Sequence, residues 1–104
     1  MGFQWDPAKD AANRAKHGVG LREAAEIFRG LVLLREDTRR DYGEQRFLAL
    51  GEYDGEVLRV VFTRRGEDIC IISTWKANRH DRKIYAQAKA QAEADDEGGA
   101  DGAL

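Results

Sequence analysis

The strongest constraint on the fold is a change of hydrophobic period near Gly30, from the spacing of helices to the alternation of strands. Three runs after this point have the strand pattern, and they are joined by Asp54–Gly55 and by a turn at 64–66: RFLALGEY, EVLRVVFT and EDICIIST. Strands joined by turns this short must run antiparallel. With LVLLRE at 31–36, the sequence predicts a four-stranded, mainly antiparallel sheet.

Helical patterns lie on both sides of the predicted strands. A first helix is predicted from a cap at Asp6 to a stop at Gly18, and a second over LREAAEIFR at 21–29. A third is predicted from a cap at Asn78. The order of elements indicates an α+β domain with the helices on one face of the sheet.

The charge of the chain is unevenly distributed. Residues 93–104 contain five acids, no base and several glycines, so we expect a disordered acidic tail after a single domain over 1–92. The whole chain has a formal charge of −2, whereas residues 1–92 alone carry +3. Twelve of the seventeen basic residues are arginines, whose planar guanidinium suits phosphate, and this favours a polyanionic partner.

Several classes of protein are excluded by composition. No apolar run approaches the roughly 20 residues that span a bilayer. The N-terminus lacks the pattern of a signal peptide, so we expect a cytoplasmic protein. The single Cys70 excludes an internal disulfide framework and a cysteine-based zinc site. We expect no cofactor and no metal.

The candidate functional residues cluster at strand ends and helix ends. Three of them can exchange protons: His17, His80 and Tyr85. Others can bind anions: Lys16, Arg46, Arg64, Lys76, Arg79 and Arg82. No group of carboxylates has a spacing suited to two metal ions. These residues favour a metal-independent reaction in which an RNA 2′-hydroxyl attacks its own phosphate and arginines stabilise the charge.

Each of these side chains also has a simpler interpretation. His17 suits the C-terminus of a helix, where a cation opposes the helix dipole. His80 can be a solvated residue of the first helical turn, and Arg64 an exposed turn residue. Trp75 could stack on a base or belong to the core.

The order of motifs along the chain resembles the BrnT family of toxins from type II toxin–antitoxin modules. The likeness rests on Trp-Asp, Lys-His-Gly-Val, Glu-x-Arg, the glycine of the second strand, Val-Val and Thr-x-Arg. It includes the closing segment WKANRHDRKIY and spans about residues 3–86 in unbroken order. The matching positions are Lys9, Asn13, Lys16, His17, Arg46, Arg64, Ser73, Arg82 and Tyr85.

The resemblance implies a RelE-like fold and a metal-independent endoribonuclease that inhibits translation. It also implies a BrnA-like antitoxin with a ribbon-helix-helix domain, which would neutralise the toxin and alone contact operator DNA. On this basis we expect four catalytic residues, His17, Arg46, Arg64 and Tyr85. We expect the RNA to be bound by Lys16, Lys76, Arg79 and Arg82.

One departure from the family pattern leaves the strength of catalysis open. Many members have Ser-Ala-Arg where this chain has Ser73-Thr74-Trp75. An alternative hypothesis is therefore a weakened or non-catalytic homologue that binds an antitoxin and co-regulates its operon. Direct DNA binding is less favoured, because no helix combines a basic face with a helix-turn-helix pattern.

Overall fold

The computed structural model describes residues 2–102 of the chain, with side chains for residues 2–95. The elements are β1 (Phe3–Gln4), α1 (Pro7–His17), α2 (Leu21–Glu26), a 3-10 turn (Ile27–Arg29), β2 (Leu33–Glu36), β3 (Arg46–Tyr53), β4 (Glu56–Arg65), β5 (Asp68–Lys76) and α3 (Arg79–Gly102). The predicted order of two helices, four strands and a helix is confirmed, with one addition at the N-terminus.

The sheet has five strands in the order β1-β5-β4-β3-β2 and is mixed. The prediction of four strands is incomplete because β1 pairs in parallel with β5, Phe3 opposite Ile69 and Gln4 opposite Cys70. The remaining pairs are antiparallel, as predicted. A strand of two residues is too short to show an alternating pattern, so the sequence gives no sign of β1.

Two tight turns have the predicted chemistry. Asp54 and Gly55 both have positive φ, 50° and 80°, which is the conformation that a two-residue hairpin between β3 and β4 requires. Asn78 caps α3 as predicted, since its Oδ1 accepts a hydrogen bond from the Asp81 N–H at 2.8 Å. These local signals were sufficient to fix the ends of their elements.

The core lies between the sheet and the segment from Val19 to the 3-10 turn. Leu21, Ala24 and Ile27 are fully buried against the strands, where they meet residues such as Phe62. Gly51 of β3 makes this packing possible. A Cβ at position 51 would lie only 2.5 Å from the Ile27 Cβ, so any side chain there would push the helical segment away from the sheet.

Asn13 joins α1 to the free part of the β5 edge. Its amide nitrogen donates to the carbonyls of Thr74 and Val19 at 2.7 Å, and its Oδ1 accepts from the Thr74 N–H at 3.2 Å. The side chain is buried and thus occupies both backbone groups of Thr74 in the way a neighbouring strand would. This fixes α1 relative to β5.

The expectation that all helices share one face of the sheet is wrong for α3. Asp81 pairs with Arg59 of β4, and Lys89 pairs with Glu52 of β3. Both partners alternate with core residues along their strands and thus point away from the core. The short connection after β5 carries the chain to the opposite face.

The last helix extends into the predicted acidic tail. The backbone of α3 is helical as far as Gly102, through most of the 93–104 segment, and residues 103 and 104 lie outside the described residues. Alanines favour helix locally, but an isolated helix end is marginal in water. Disorder of this segment stays a prediction. No helix among the described residues is long and apolar enough to cross a membrane.

Candidate functional site

The face of the sheet opposite the core, here called the outer face, holds Arg46 of the predicted site residues. Arg46, Thr63 and Cys70 are paired across β3, β4 and β5 near one end of this face. Trp75 is paired with Arg59 farther along. Since Thr63 and Arg59 are four residues apart on β4, the two groups are separated by about 13 Å. We call them the Arg46 end and the Trp75 end.

The Arg46 end combines a cavity with a concentration of positive charge. The cavity has a volume of about 370 Å³, and three of its side chains are cationic: Lys9, Arg46 and Arg65. Two carboxylates, Asp6 and Glu44, line it as well. Arg46 also borders a second cavity of about 470 Å³, beside Ser73 and the loop before β3. The arrangement suits an anionic chain that passes over Arg46.

Arg46 is held in place by its neighbours. Its Nε donates to Glu44 Oε2 at 3.3 Å, and its guanidinium carbon lies 4.2 Å from the centroid of the Tyr42 ring. A cation over an aromatic face is attracted by the ring electrons. The Tyr42 hydroxyl in turn donates to Asp37 Oδ2 at 3.1 Å. Arg46 is therefore oriented before any ligand arrives.

Asp37 anchors the loop that carries Tyr42. Its side chain is 2% exposed and accepts two hydrogen bonds from the Arg39 guanidinium, both at 2.8 Å. The Arg39 hydrogen bonds hold the pKa of the Asp37 carboxyl far below its usual range. The Asp37 N–H also donates to the Arg46 carbonyl at 2.7 Å, so the anchor is tied directly to β3.

The Trp75 end consists of two aromatic rings, Trp75 and His17, next to the ion pair of Arg59 with Asp81. Trp75 is partly exposed, and the His17 ring centroid lies 6.2 Å from the Trp75 ring centroid. On the other side, the Arg59 guanidinium carbon lies 5.8 Å from the same ring and Arg59 Nη1 donates to Asp81 at 3.0 Å. Arg59 Nε is buried without a hydrogen-bond partner in the described part of the chain.

His17 and Lys16 close helix α1 beside this group. His17 is the last residue of α1, and Gly18 follows in the left-handed conformation with φ 74°. Lys16 is exposed in the same turn. The structure therefore brings His17 to Trp75 rather than to Arg46.

Arg64 does not share a face of the sheet with Arg46. Arg46 pairs with Thr63, and neighbouring residues of a strand point to opposite faces, so Arg64 points away from the face that Arg46 occupies. Arg65 returns to that face and lines the same cavity as Arg46. Arg64 itself is exposed at the end of β4.

Tyr85 and Arg82 lie in contacts that support α3. Tyr85 is 3% exposed, and its hydroxyl donates to the Leu31 carbonyl at 2.8 Å. Burial raises the pKa of the Tyr85 hydroxyl, which makes it a weaker acid that stays protonated. Arg82 donates to the Ala77 carbonyl at 2.8 Å, across the turn that leads into the helix. Neither side chain lines the cavities at the Arg46 end.

The other two predicted RNA-binding residues are exposed but lie apart from Arg46. Lys76 pairs with Leu58, a core residue, so its side chain is on the core side of the sheet. Its Nζ lies 3.5 Å from Glu56 Oε2. Arg79 begins α3 and is exposed. Within the described residues, no group of three or more His, Cys, Asp or Glu side chains could hold a metal ion.

Sequence reasoning missed four residues of the outer face: Tyr42, Glu44, Arg59 and Arg65. Glu44 belongs to the Glu-x-Arg motif, so a signal for it existed. Arg65 could have been found by counting the register from Thr63. Tyr42 lies in a charged loop where no periodicity predicts which side chain turns inward.

A family model supplies the decisive comparison. The model of a ribonuclease toxin, BrnT, of type II toxin–antitoxin systems matches residues 5–81, well over half of the chain. The chain belongs to the BrnT family. A search among curated proteins gave no match.

The matched range includes both ends of the outer face. As a member of the BrnT family, the chain is a ribonuclease toxin of a type II toxin–antitoxin system, and such a toxin has an antitoxin as its partner. The match ends at Asp81, so it contains the Arg59–Asp81 ion pair and excludes Tyr85. The resemblance stated from the motifs is confirmed at the level of the family.

Proposed function

We propose that this toxin cleaves RNA at the Arg46 end, without a metal ion, and thereby inhibits translation in the cytoplasm. The proposal rests on the observation that Lys9, Arg46 and Arg65 line one and the same cavity. Three cations around one space can bind phosphates and stabilise the extra negative charge of a pentavalent transition state, the task that a metal would otherwise perform.

The charge is also arranged in advance. Arg46 is fixed by Tyr42 and Glu44, so it loses little freedom when a phosphate binds. Of the predicted catalytic residues, Arg46 keeps its role in this proposal. His17 is proposed to contact the RNA at the Trp75 end, together with Lys16 on the same turn.

The test is cleavage of an RNA oligonucleotide by the purified chain in excess EDTA. We expect products with a 2′,3′-cyclic phosphate or 3′-phosphate and a 5′-hydroxyl, because the 2′-oxygen is the nucleophile. A matched oligonucleotide with 2′-deoxyribose at the cleaved position should remain intact. Products with 5′-phosphate ends, or activity only with magnesium, would contradict the mechanism.

We further propose that a BrnA-like ribbon-helix-helix antitoxin neutralises the toxin, and that the antitoxin is the component of their complex that contacts operator DNA. Membership in a type II toxin family supports a protein antitoxin. Induction of the toxin alone should arrest growth, and co-expression of a small ribbon-helix-helix protein encoded beside it should restore growth. Arrest that the neighbour does not relieve would contradict this pairing.

A second candidate function is favoured by Trp75. Trp75 occupies the outer face where many relatives have arginine, and the nearby Arg59 is already paired with Asp81. This substitution supports a weakened homologue that acts as a protein-binding partner of the antitoxin. Absence of both RNA cleavage and growth arrest, with antitoxin binding retained, would favour this candidate over the first.

A further inference from the structure

The cavity at the Arg46 end contains two carboxylates with different surroundings. Asp6 is occupied as the cap of α1, where its Oδ1 accepts a hydrogen bond from the Ala8 N–H at 2.8 Å. Glu44 is bound by Arg46 through Oε2 at 3.3 Å, and its side chain is 33% exposed. Within the described residues, Glu44 Oε1 accepts no hydrogen bond, so it can take a proton from a ligand in the cavity.

We propose that Glu44 is the general base of the reaction and a catalytic residue. This inference rests on the proposed function, since it concerns RNA cleavage at the same cavity. A base must lie within hydrogen-bond reach of the proton that it removes, while the phosphate is held by cations. Glu44 lines the same cavity as Lys9, Arg46 and Arg65, so a proton acceptor and three cations face one space.

The three proton-exchanging residues expected from the sequence, His17, His80 and Tyr85, do not line this cavity. The Tyr85 hydroxyl is buried and already donates to the Leu31 carbonyl. His17 lies against Trp75 at the other end of the outer face. Glu44, by contrast, lines the cavity together with the three cations.

The step balances without a co-reactant other than water. The Glu44 carboxylate takes the proton of the ribose 2′-hydroxyl, and the 2′-oxygen forms a bond to phosphorus. Arg46, with Lys9 and Arg65, stabilises the charge on the phosphoryl oxygens. The bond from phosphorus to the 5′-oxygen breaks, and this oxygen takes a proton from water. Glu44 then returns its proton to water, leaving a 2′,3′-cyclic phosphate and a 5′-hydroxyl.

The test is Glu44→Gln in the full chain, measured by single-turnover cleavage of an RNA oligonucleotide. The glutamine oxygen can still accept the hydrogen bond from Arg46, so the variant removes the base and keeps the contact. We expect kcat to fall by about 100-fold to 10,000-fold, with KM within about twofold. Glu26→Gln is the matched control, because Glu26 pairs with Arg29 at 2.8 Å away from this cavity and should leave the rate unchanged.

A pH profile separates a base from a residue that only positions Arg46. Wild-type kcat/KM should fall at acid pH as the base is protonated, and Glu44→Gln should lose this limb. The charged and titratable groups that face Glu44 come from α1, β3, β4 and β5: Asp6, Lys9, Arg46, Arg65 and Cys70. Loss of the limb in Glu44→Gln assigns it to Glu44 rather than to Asp6, the other acid that lines the cavity.

The outcomes are distinct. Glu44→Gln with a rate within about threefold of wild type, or with an unchanged acid limb, would overturn the role of Glu44 while leaving the proposed ribonuclease intact. If Glu44→Ala is inactive but Glu44→Gln is active, Glu44 only positions Arg46, and the inference is again overturned. A wild-type chain that cleaves no RNA would overturn both proposals.

Discussion

The two ends of the outer face use arginine in opposite ways. At the Arg46 end, Lys9, Arg46 and Arg65 line one cavity, and Arg46 is 27% exposed although it pairs with Glu44. At the Trp75 end, Arg59 is 17% exposed and paired with Asp81, itself 14% exposed. A sheltered ion pair has little net charge to offer a phosphate, because each ion neutralises the other.

The two ends of the outer face differ in what they offer a ligand, positive charge at Arg46 and aromatic rings at Trp75. The Arg46 end has an excess of positive charge and a cavity, so it suits the phosphate that reacts. The Trp75 end offers the partly exposed rings of Trp75 and His17, which suit the face of a base. Under the proposed function, the reacting phosphate would lie at Arg46, and Trp75 and His17 would hold the RNA.

The largest expected effect on the cleavage kinetics comes from two separate variants, one at Arg46 and one at Trp75. Arg46→Ala should lower kcat by about 100-fold or more, because it removes a preorganised charge from the transition state. Trp75→Ala should raise KM by about tenfold with little change in kcat, since stacking holds substrate and transition state alike. Single-turnover rates against RNA concentration measure both.

Trp75→Phe is the control for the second variant and should retain most of the binding, because an aromatic face remains. If Trp75→Ala lowers kcat more than Arg46→Ala does, the chemistry lies at the Trp75 end. His17, as first expected from the sequence, would then become the acid–base candidate.

A smaller effect tests the register of β4. Arg65→Ala should lower kcat/KM by about tenfold, while Arg64→Ala should stay within about twofold, because only Arg65 shares the cavity with Arg46. Both side chains are exposed, so neither change should alter the free energy of unfolding by more than about 0.5 kcal/mol. Rates and urea melts of the two variants are the measurement. Loss of activity in Arg64→Ala alone would restore Arg64 as the phosphate ligand.

The smallest effect on activity comes from the loop anchor at the Arg46 end. Asp37→Asn should destabilise the fold by about 1–3 kcal/mol at pH 7, because it weakens a buried carboxylate's hydrogen bonds to Arg39. It should reduce the cleavage rate only a few-fold, through a less fixed Arg46, and leave binding at Trp75 unchanged.

The pH dependence of this variant has a definite sign. The pKa of Asp37 is lowered in the folded chain, so its contribution is fully present above the unfolded value of about 3.9 and declines as pH falls below it. The stability gap between wild type and Asp37→Asn should therefore shrink between pH 5 and about pH 2. Thermal melts across this range provide the check, and a gap that widens in acid would contradict the assignment.

Local signals in the sequence were enough for most of the fold. The turn at Asp54–Gly55 and the cap at Asn78 were correct because each depends on a few neighbouring residues. The side of the sheet that α3 takes was not predictable, since it follows from long-range contacts such as Lys89 with Glu52. The pairing of β1 with β5 is long-range as well.

The site was harder to predict, for a related reason. A strand places neighbouring residues on opposite faces, so a difference of one residue decides that Arg65 and not Arg64 lines the cavity with Arg46. The contact of the Tyr85 hydroxyl with the Leu31 carbonyl joins residues far apart in the chain, so the sequence does not show it. Arg46 begins β3, where the predicted strand begins. The catalytic roles of these residues stay predictions.

The hydrogen bonds between Asn13 and Thr74 bear on how the molecule associates with other copies of itself. An open strand edge offers unpaired backbone groups to strands of other molecules and can seed aggregation. At the far edge of the sheet, β2 is only four residues long and carries Arg35 and Glu36, which oppose the addition of a strand. At the β5 edge the amide of Asn13 occupies both backbone groups of Thr74. One buried side chain thus occupies backbone groups that a strand of another molecule could otherwise bind at this position.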